Sequence, residues 1–169
     1  MLPPDRYLVH FSDRPLVRAY SVQQSSPSDK PCGLWVSVEG GSDGWSDWCL
    51  IESFYLNCLM LAHAVQLRDD ANILMVKSES ELDSFTEAFI VDGMAWHRGI
   101  NWGDVAARYS GIIISPYLWK RRLTDHTFWY YGWDCASGCI WDAGAIASIS
   151  LIERPPHLMQ LEQSQCAAT

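Results

Sequence analysis

Charge is scarce in this 169-residue chain: Asp, Glu, Lys and Arg together make up 19% of it, against 49% hydrophobic residues. That balance excludes a disordered chain and supplies enough apolar surface for a sizeable core. Positive charge is scarcest of all, with 12 Lys and Arg against 20 Asp and Glu, a net charge of −8 and a pI near 4.9. A binder of nucleic-acid phosphates needs the opposite sign, and the longest basic run, Lys120-Arg121-Arg122, reads as a solvated turn. No apolar stretch is long enough to span a membrane. The start, MLPPDRYLVHF, carries an acidic residue and two prolines where a signal peptide needs an apolar segment. A cytoplasmic chain is therefore expected, with its six cysteines reduced and mostly buried. Metal-ligand spacing is missing as well. Cys135 and Cys139 have no second pair to complete a zinc site, so no metal is expected. Nor is there a phosphate loop, a GxSxG, an HExxH or a GxGxxG.

What the chain has in quantity is aromatic side chains, and they concentrate late. Phe128 to Asp142, FWYYGWDCASGCIWD, holds three of the nine tryptophans, two tyrosines, two cysteines and two aspartates, broken by Gly132 and Gly138. Its first half reads as a buried aromatic strand. Asp134, Cys135, Ser137 and Gly138 read as a loop presenting polar groups, with the strand resuming at Cys139. Upstream, Tyr7 to Ser12 alternates as a strand ended by Pro15, Leu16 to Val22 reads as a second, and Gln23 to Pro31 as a polar loop. Gly33 to Val38 forms a strand left through Gly40-Gly41. Ser42 or Asp43 is a plausible N-cap for a helix carrying Trp45, Trp48 and Cys49 on one face. Within 54–67, the alternation of 62–67 predicts a strand, and Ile73 to Val76 another. Ser78 to Phe89 is the clearest helix, with a Ser cap, Glu81 three residues on and Leu82, Phe85 and Phe89 aligned. Gly93 to Gly99 reads as a loop, Asn101 to Tyr109 as a helix capped by Asn101, and Gly111 to Ser115 as a strand stopped by Pro116. Ile146 to Ile152 alternates as the last strand. No repeat or boundary divides the chain, so residues 1–156 are expected to form one domain, followed by a polar tail over 157–169. Many short strands with two or three helices between them give an α+β fold.

Polar residues embedded in apolar strands carry the functional signal: His10 and Ser12, Trp35 and Ser37, Asp134 and Ser137. A buried polar group needs partners, from the core or from a ligand. Three such pairs in a chain of this size point to a pocket made where the segments around His10 and Trp35 lie beside the late aromatic segment. A thiol hydrolase using Cys135 or Cys139 with a histidine is a weaker alternative, since no local signature selects a cysteine.

These residues resemble the ADP-ribosyltransferase fold in its His–aromatic–acid branch, and small phage- and prophage-associated proteins of that type. The likeness rests on YLVHFS, on KPCGLWVS, and on the WDCASGCIW segment with its polar loop, and covers about Tyr7 to Ile152. It implies a split, twisted antiparallel β-sandwich holding NAD in a cleft between its sheets. His10 then matches the histidine that bonds the NAD ribose and the nicotinamide amide, a task suited to neutral imidazole, which both donates and accepts. Ser12 would be a second ribose contact, with Phe11 between them. Trp35 stands where the family carries a stacking tyrosine, Ser37 shares its strand face, and Arg18 or Arg14 would reach the pyrophosphate. The family's catalytic glutamate falls near Ser137 or Gly138, neither of them an acid. Asp134 on the approach loop is the favoured substitute and Asp142 the second choice.

The expectation is thus an NAD-dependent mono-ADP-ribosyltransferase acting on a protein target, with no nucleic-acid or membrane partner. The resemblance adds a role in phage–host conflict, as a modifier of a host defence component. The rival expectation is a non-catalytic module that keeps the fold and binds a partner protein through exposed tryptophans. It gains if Trp45, Trp96, Trp119 and Trp129 are exposed while His10 and Trp35 are packed shut.

Overall fold

The computed structural model describes residues 2–25, 27–92, 98–154 and 158. The elements follow in the order β1 (Tyr7–Ser12), β2 (Leu34–Glu39), α1 (Trp45–Glu52), β3 (Leu61–Leu67), β4 (Ile73–Val76), α2 (Glu79–Phe89), β5 (Ile90–Val91), β6 (Gly99–Ile100), α3 (Trp102–Ala106), β7 (Gly111–Ile114), β8 (Ser137–Ile140) and β9 (Ile146–Ile152). The class is α+β. Seven strands form one sheet in the order β4-β7-β8-β2-β1-β3-β9, and β5 with β6 forms a separate ribbon. The sheet is mixed where an antiparallel one was expected. β4 and β7 run parallel, because the chain between them crosses over through α2 and α3 before returning alongside.

The pairings at the centre matter most. β1 and β2 are in register from Tyr7↔Glu39 only as far as Val9↔Ser37. Beyond that point β1 stays paired with β3 to Ser12, while β2 stays paired with β8 back to Leu34. The sheet therefore forks between its two central strands.

The elements arise from the patterns in the chain. In α2, Ser78 accepts the Glu81 N–H at 3.2 Å and the Glu81 carboxylate turns back to the Lys77 N–H, while Leu82, Phe85, Thr86 and Phe89 are buried. Phe85 meets Trp102 and Trp129 at ring-centroid distances of 5.9 and 5.5 Å, and these two indoles lie 5.9 Å from each other and 6.4 and 6.0 Å from Trp133. Each buried indole N–H has an acceptor: Trp129 donates to Thr86 Oγ1 at 3.0 Å, Trp102 to the Ser28 carbonyl at 2.9 Å and Trp141 to the Tyr109 carbonyl at 2.6 Å.

Five local expectations are corrected, the first being that the strand expected to resume at Cys139 already begins at Ser137, because Ser137 and Gly138 pair with both β2 and β7. Leu16 to Val22 is irregular and largely exposed, since β1 already has a partner on each side; the Leu16 and Val22 N–H groups go instead to His63 Nε2 and the Trp141 carbonyl. The aromatic run is helical within Asp125–Trp133, a segment of 3-10 turns kinked at Thr127, which buries Trp129, Tyr130 and Trp133 and leaves Phe128 and Tyr131 outside, stacked on each other. The N-cap of α1 is Gly44, because Asp43 is engaged with Arg6 at 2.6 Å and with the Tyr117 N–H at 2.9 Å. The helix after Asn101 ends at Ala106. The loop expected over 93–99 falls, save for residues 98 and 99, outside the described residues, as does the tail expected over 157–169 save for Leu158. Among the described residues, no helix is long and apolar enough to cross a membrane.

Candidate functional site

At the fork lies a cavity of about 330 Å³. Larger depressions of about 720 and 690 Å³ elsewhere are more open to solvent. Three strands supply His10, Ser37 and Ser137 to the cavity. β2 presents Trp35 and Ser37 two residues apart on one face, and the antiparallel register of β8 sets Ser137 opposite Ser37 and Cys139 opposite Trp35. From β1 come His10 and Phe11. The lining is completed by Trp45, Cys58, Trp133, Cys135 and Lys30, with the exposed Tyr55 at the rim.

His10 closes the fork. Its Nδ1 lies 2.8 Å from the carbonyl oxygen of Trp35. A carbonyl only accepts, so Nδ1 carries the proton and Nε2 keeps a free lone pair. Burial holds the His10 pKa below the ordinary histidine value, against the pull of the Trp35 carbonyl, and nearby His63 lowers it further. His63 is fixed as well: its Nε2 accepts from the Leu16 N–H at 3.1 Å, and its Nδ1 faces the His10 carbonyl at 3.3 Å.

Trp35 is half-buried, with Trp133 edge-on at 4.9 Å and the Lys30 ammonium 5.2 Å from its ring centroid. That indole face therefore already attracts a cation. Ser37 donates to Glu39 Oε1 at 2.6 Å and accepts the Trp45 N–H at 2.7 Å, while Ser137 donates to the Cys135 carbonyl at 3.1 Å. Burial pushes the Cys135 thiol up to about 12 and raises Cys139 also, which leaves neither ready as a thiolate at neutral pH.

Of the residues singled out in the sequence, the cavity gathers His10, Phe11, Trp35, Ser37 and Ser137. Ser12 lies at the end of β1 and donates to the Arg14 carbonyl at 2.6 Å, and Arg18 stands over the Tyr20 ring at 5.3 Å; neither lines the cavity. Asp134 is next to two wall residues but its carboxylate pairs with Arg122 at 3.0 Å. Asp142 caps the turn at Ala143–Ala145, accepting the Gly144 N–H at 2.9 Å and the hydroxyls of Ser21 and Ser110. It borders a different depression. Sequence reasoning missed Lys30, Tyr55 and Glu39. The first two come from loops with no periodicity to flag them, whereas Glu39 was readable as the next residue on the face shared by Trp35 and Ser37.

Backbone strain also clusters here. Among the described residues three non-glycine positions have positive φ: Ser53 at 52°, Tyr55 at 41° and Asp134 at 57°. Tyr55 lines the cavity, and Asp134 joins wall residues Trp133 and Cys135. Among the described residues no cluster of His, Cys, Asp and Glu is arranged to hold a metal ion. No protein-family model matches the chain, and neither a curated protein nor a solved structure does.

Proposed function

We propose that the chain is an ADP-ribosyltransferase-like protein whose forked sheet binds the nicotinamide–ribose end of NAD and transfers ADP-ribose to a protein target. The observation that carries this reading is the meeting of His10, Trp35, Ser37 and Ser137, from three neighbouring strands, around one cavity at the point where β1 and β2 part. A split between sheets is where the resemblance puts the dinucleotide. A cavity of about 330 Å³ falls within the span of small-molecule sites, roughly 300–1,000 Å³. The cationic nicotinamide ring takes the place of the Lys30 ammonium over Trp35, and His10 Nε2 accepts from a ribose hydroxyl or from the carboxamide. Displaced from the indole, Lys30 remains beside the pyrophosphate as its counter-charge. Of the two candidate acids, Asp134 is the nearer, beside the lining residues Trp133 and Cys135, and would act only once released from Arg122, whereas Asp142 stays with its own turn at another depression.

The partner-binding reading is less well supported. Trp119 is 60% exposed, but Trp129 is fully buried and Trp45 only half-exposed, with Trp96 outside the described residues. His10 and Trp35 are meanwhile partly open. Calorimetric titration with NAD tests the proposal. The wild type is expected to bind, and His10→Ala and Trp35→Ala each to weaken binding about tenfold or more. No heat of binding at millimolar NAD overturns it.

A further inference from the structure

Among the described residues Glu39 is the one buried acid, at 1% exposure, and no sequence motif called for it. It lies on β2 two residues beyond Ser37, on the same strand face, with its carboxylate directly behind the cavity wall. Ser37 Oγ donates to Oε1 at 2.6 Å, Ser46 Oγ to Oε2 at 2.6 Å, and the Ser46 N–H to Oε1 at 3.3 Å. These donors are all neutral, and the nearby Arg6 spends its guanidinium on Asp43 at 2.6 Å.

We infer that Glu39 supplies the negative charge of the cavity through the hydroxyl of Ser37: Ser37 meets the ligand, and Glu39 is the positioning residue behind it. This rests on the NAD reading above and names within it a carboxylate that Asp134 and Asp142 do not provide. A serine hydroxyl has one proton and two lone pairs. In Ser37 the proton is committed to Glu39 and one lone pair to the Trp45 N–H, so the remaining lone pair is left for the cavity. Donation to a carboxylate polarises the hydroxyl and makes that lone pair a stronger acceptor. Behind a desolvated wall, a charge one hydrogen bond away still acts on a positive ring, or on the positive charge that grows on ribose as nicotinamide leaves. The arrangement thus distinguishes ligands by charge. Oxidised NAD carries a cationic nicotinamide ring and the reduced form a neutral one of nearly the same size.

The test is calorimetric titration of the wild type, Glu39→Gln, Ser37→Ala and Ser37→Thr with oxidised and with reduced NAD, alongside each variant's thermal midpoint. Glu39→Gln and Ser37→Ala are each expected to lower the preference for the oxidised over the reduced form about fivefold or more, and Ser37→Thr, which keeps the hydroxyl, to restore it. If Glu39→Gln does not fold, the Ser37 pair decides alone, because both variants leave Glu39 its two bonds from Ser46. A preference unchanged within about twofold in the variants that fold, while Trp35→Ala still weakens both forms, overturns the role of Glu39 and leaves the NAD reading standing. A wild type that binds neither form overturns both.

Discussion

His10 and its neighbours set how the site responds to pH. Because burial holds its pKa below the ordinary value of about 6.5, the unfolded chain takes up a proton on this side chain before the folded one does. Between the two pKa values the unfolded state binds more protons, so stability rises with pH through that window. The contribution is present above about pH 6.5 and is lost as pH falls through the lower, folded value. His10→Gln, which keeps a donor but does not titrate, is expected to flatten the fall in thermal midpoint between neutral and mildly acidic pH; a slope as steep as that of the wild type assigns the titration to another group. Gly138 carries a constraint of a different kind. A Cβ built there would come 2.5 Å from the Ile112 carbonyl oxygen, so Gly138→Ala is expected to cost about 1–3 kcal/mol in chemical denaturation. Of the two positions where the resemblance puts the family's acid, therefore, only Ser137 can carry a side chain.

At the scale of the elements, β2 and β8 work as a pair. Their register sets Ser137 beside Ser37 at the cavity, so Ser137→Glu is expected to place a carboxylate where the family has one and to raise nicotinamide release from NAD about tenfold or more over the wild type. Bound NAD with unchanged nicotinamide release would refute that alignment. β2 also anchors α1, whose first N–H groups are met by Ser37 and Glu39 across the fold in place of a cap from Gly44. Ser46→Ala removes a buried hydroxyl donor to Glu39 and is expected to lower stability by about 1–3 kcal/mol, read by chemical denaturation. A cap of this kind was beyond the reach of the sequence, because it depends on a strand ending beside a helix start. Much else was legible. β1, β2, β4, α2, β7 and β9 announce themselves by alternation, apolar runs or a Ser cap, all of which are local features of the chain. The aromatic segment misled because Trp and Tyr favour strands, while the spacing of Trp129, Tyr130 and Trp133 already fitted a helical turn. His10, Trp35 and Ser37 were legible as polar interruptions of apolar strands. The occupation of Asp134 by Arg122 and of Asp142 by its own turn was not, since ion pairs and caps are set by the tertiary fold.

Across the whole molecule, a net charge of −8 opposes the approach of an anionic dinucleotide, yet the cavity holds a lysine. The two effects differ in range. Repulsion from the summed charge acts over tens of ångströms and is screened by salt within a Debye length of about 10 Å at 0.1 M. Attraction to Lys30 acts at contact, where screening is weaker. In the wild type these opposing terms offset, and NAD affinity is expected to vary little with ionic strength. Lys30→Gln leaves only the long-range repulsion, so its affinity is expected to be lower at low salt and to climb back as salt is added. Nicotinamide riboside, which lacks the pyrophosphate but keeps the cationic ring, should bind Lys30→Gln at least as tightly as wild type, because no ammonium then has to leave the Trp35 indole. Calorimetry across a salt series with both ligands checks the pair of outcomes. An NAD affinity that Lys30→Gln leaves unaltered at every ionic strength would remove the pyrophosphate from the neighbourhood of Lys30 and turn the dinucleotide's far end toward the Tyr55 rim instead.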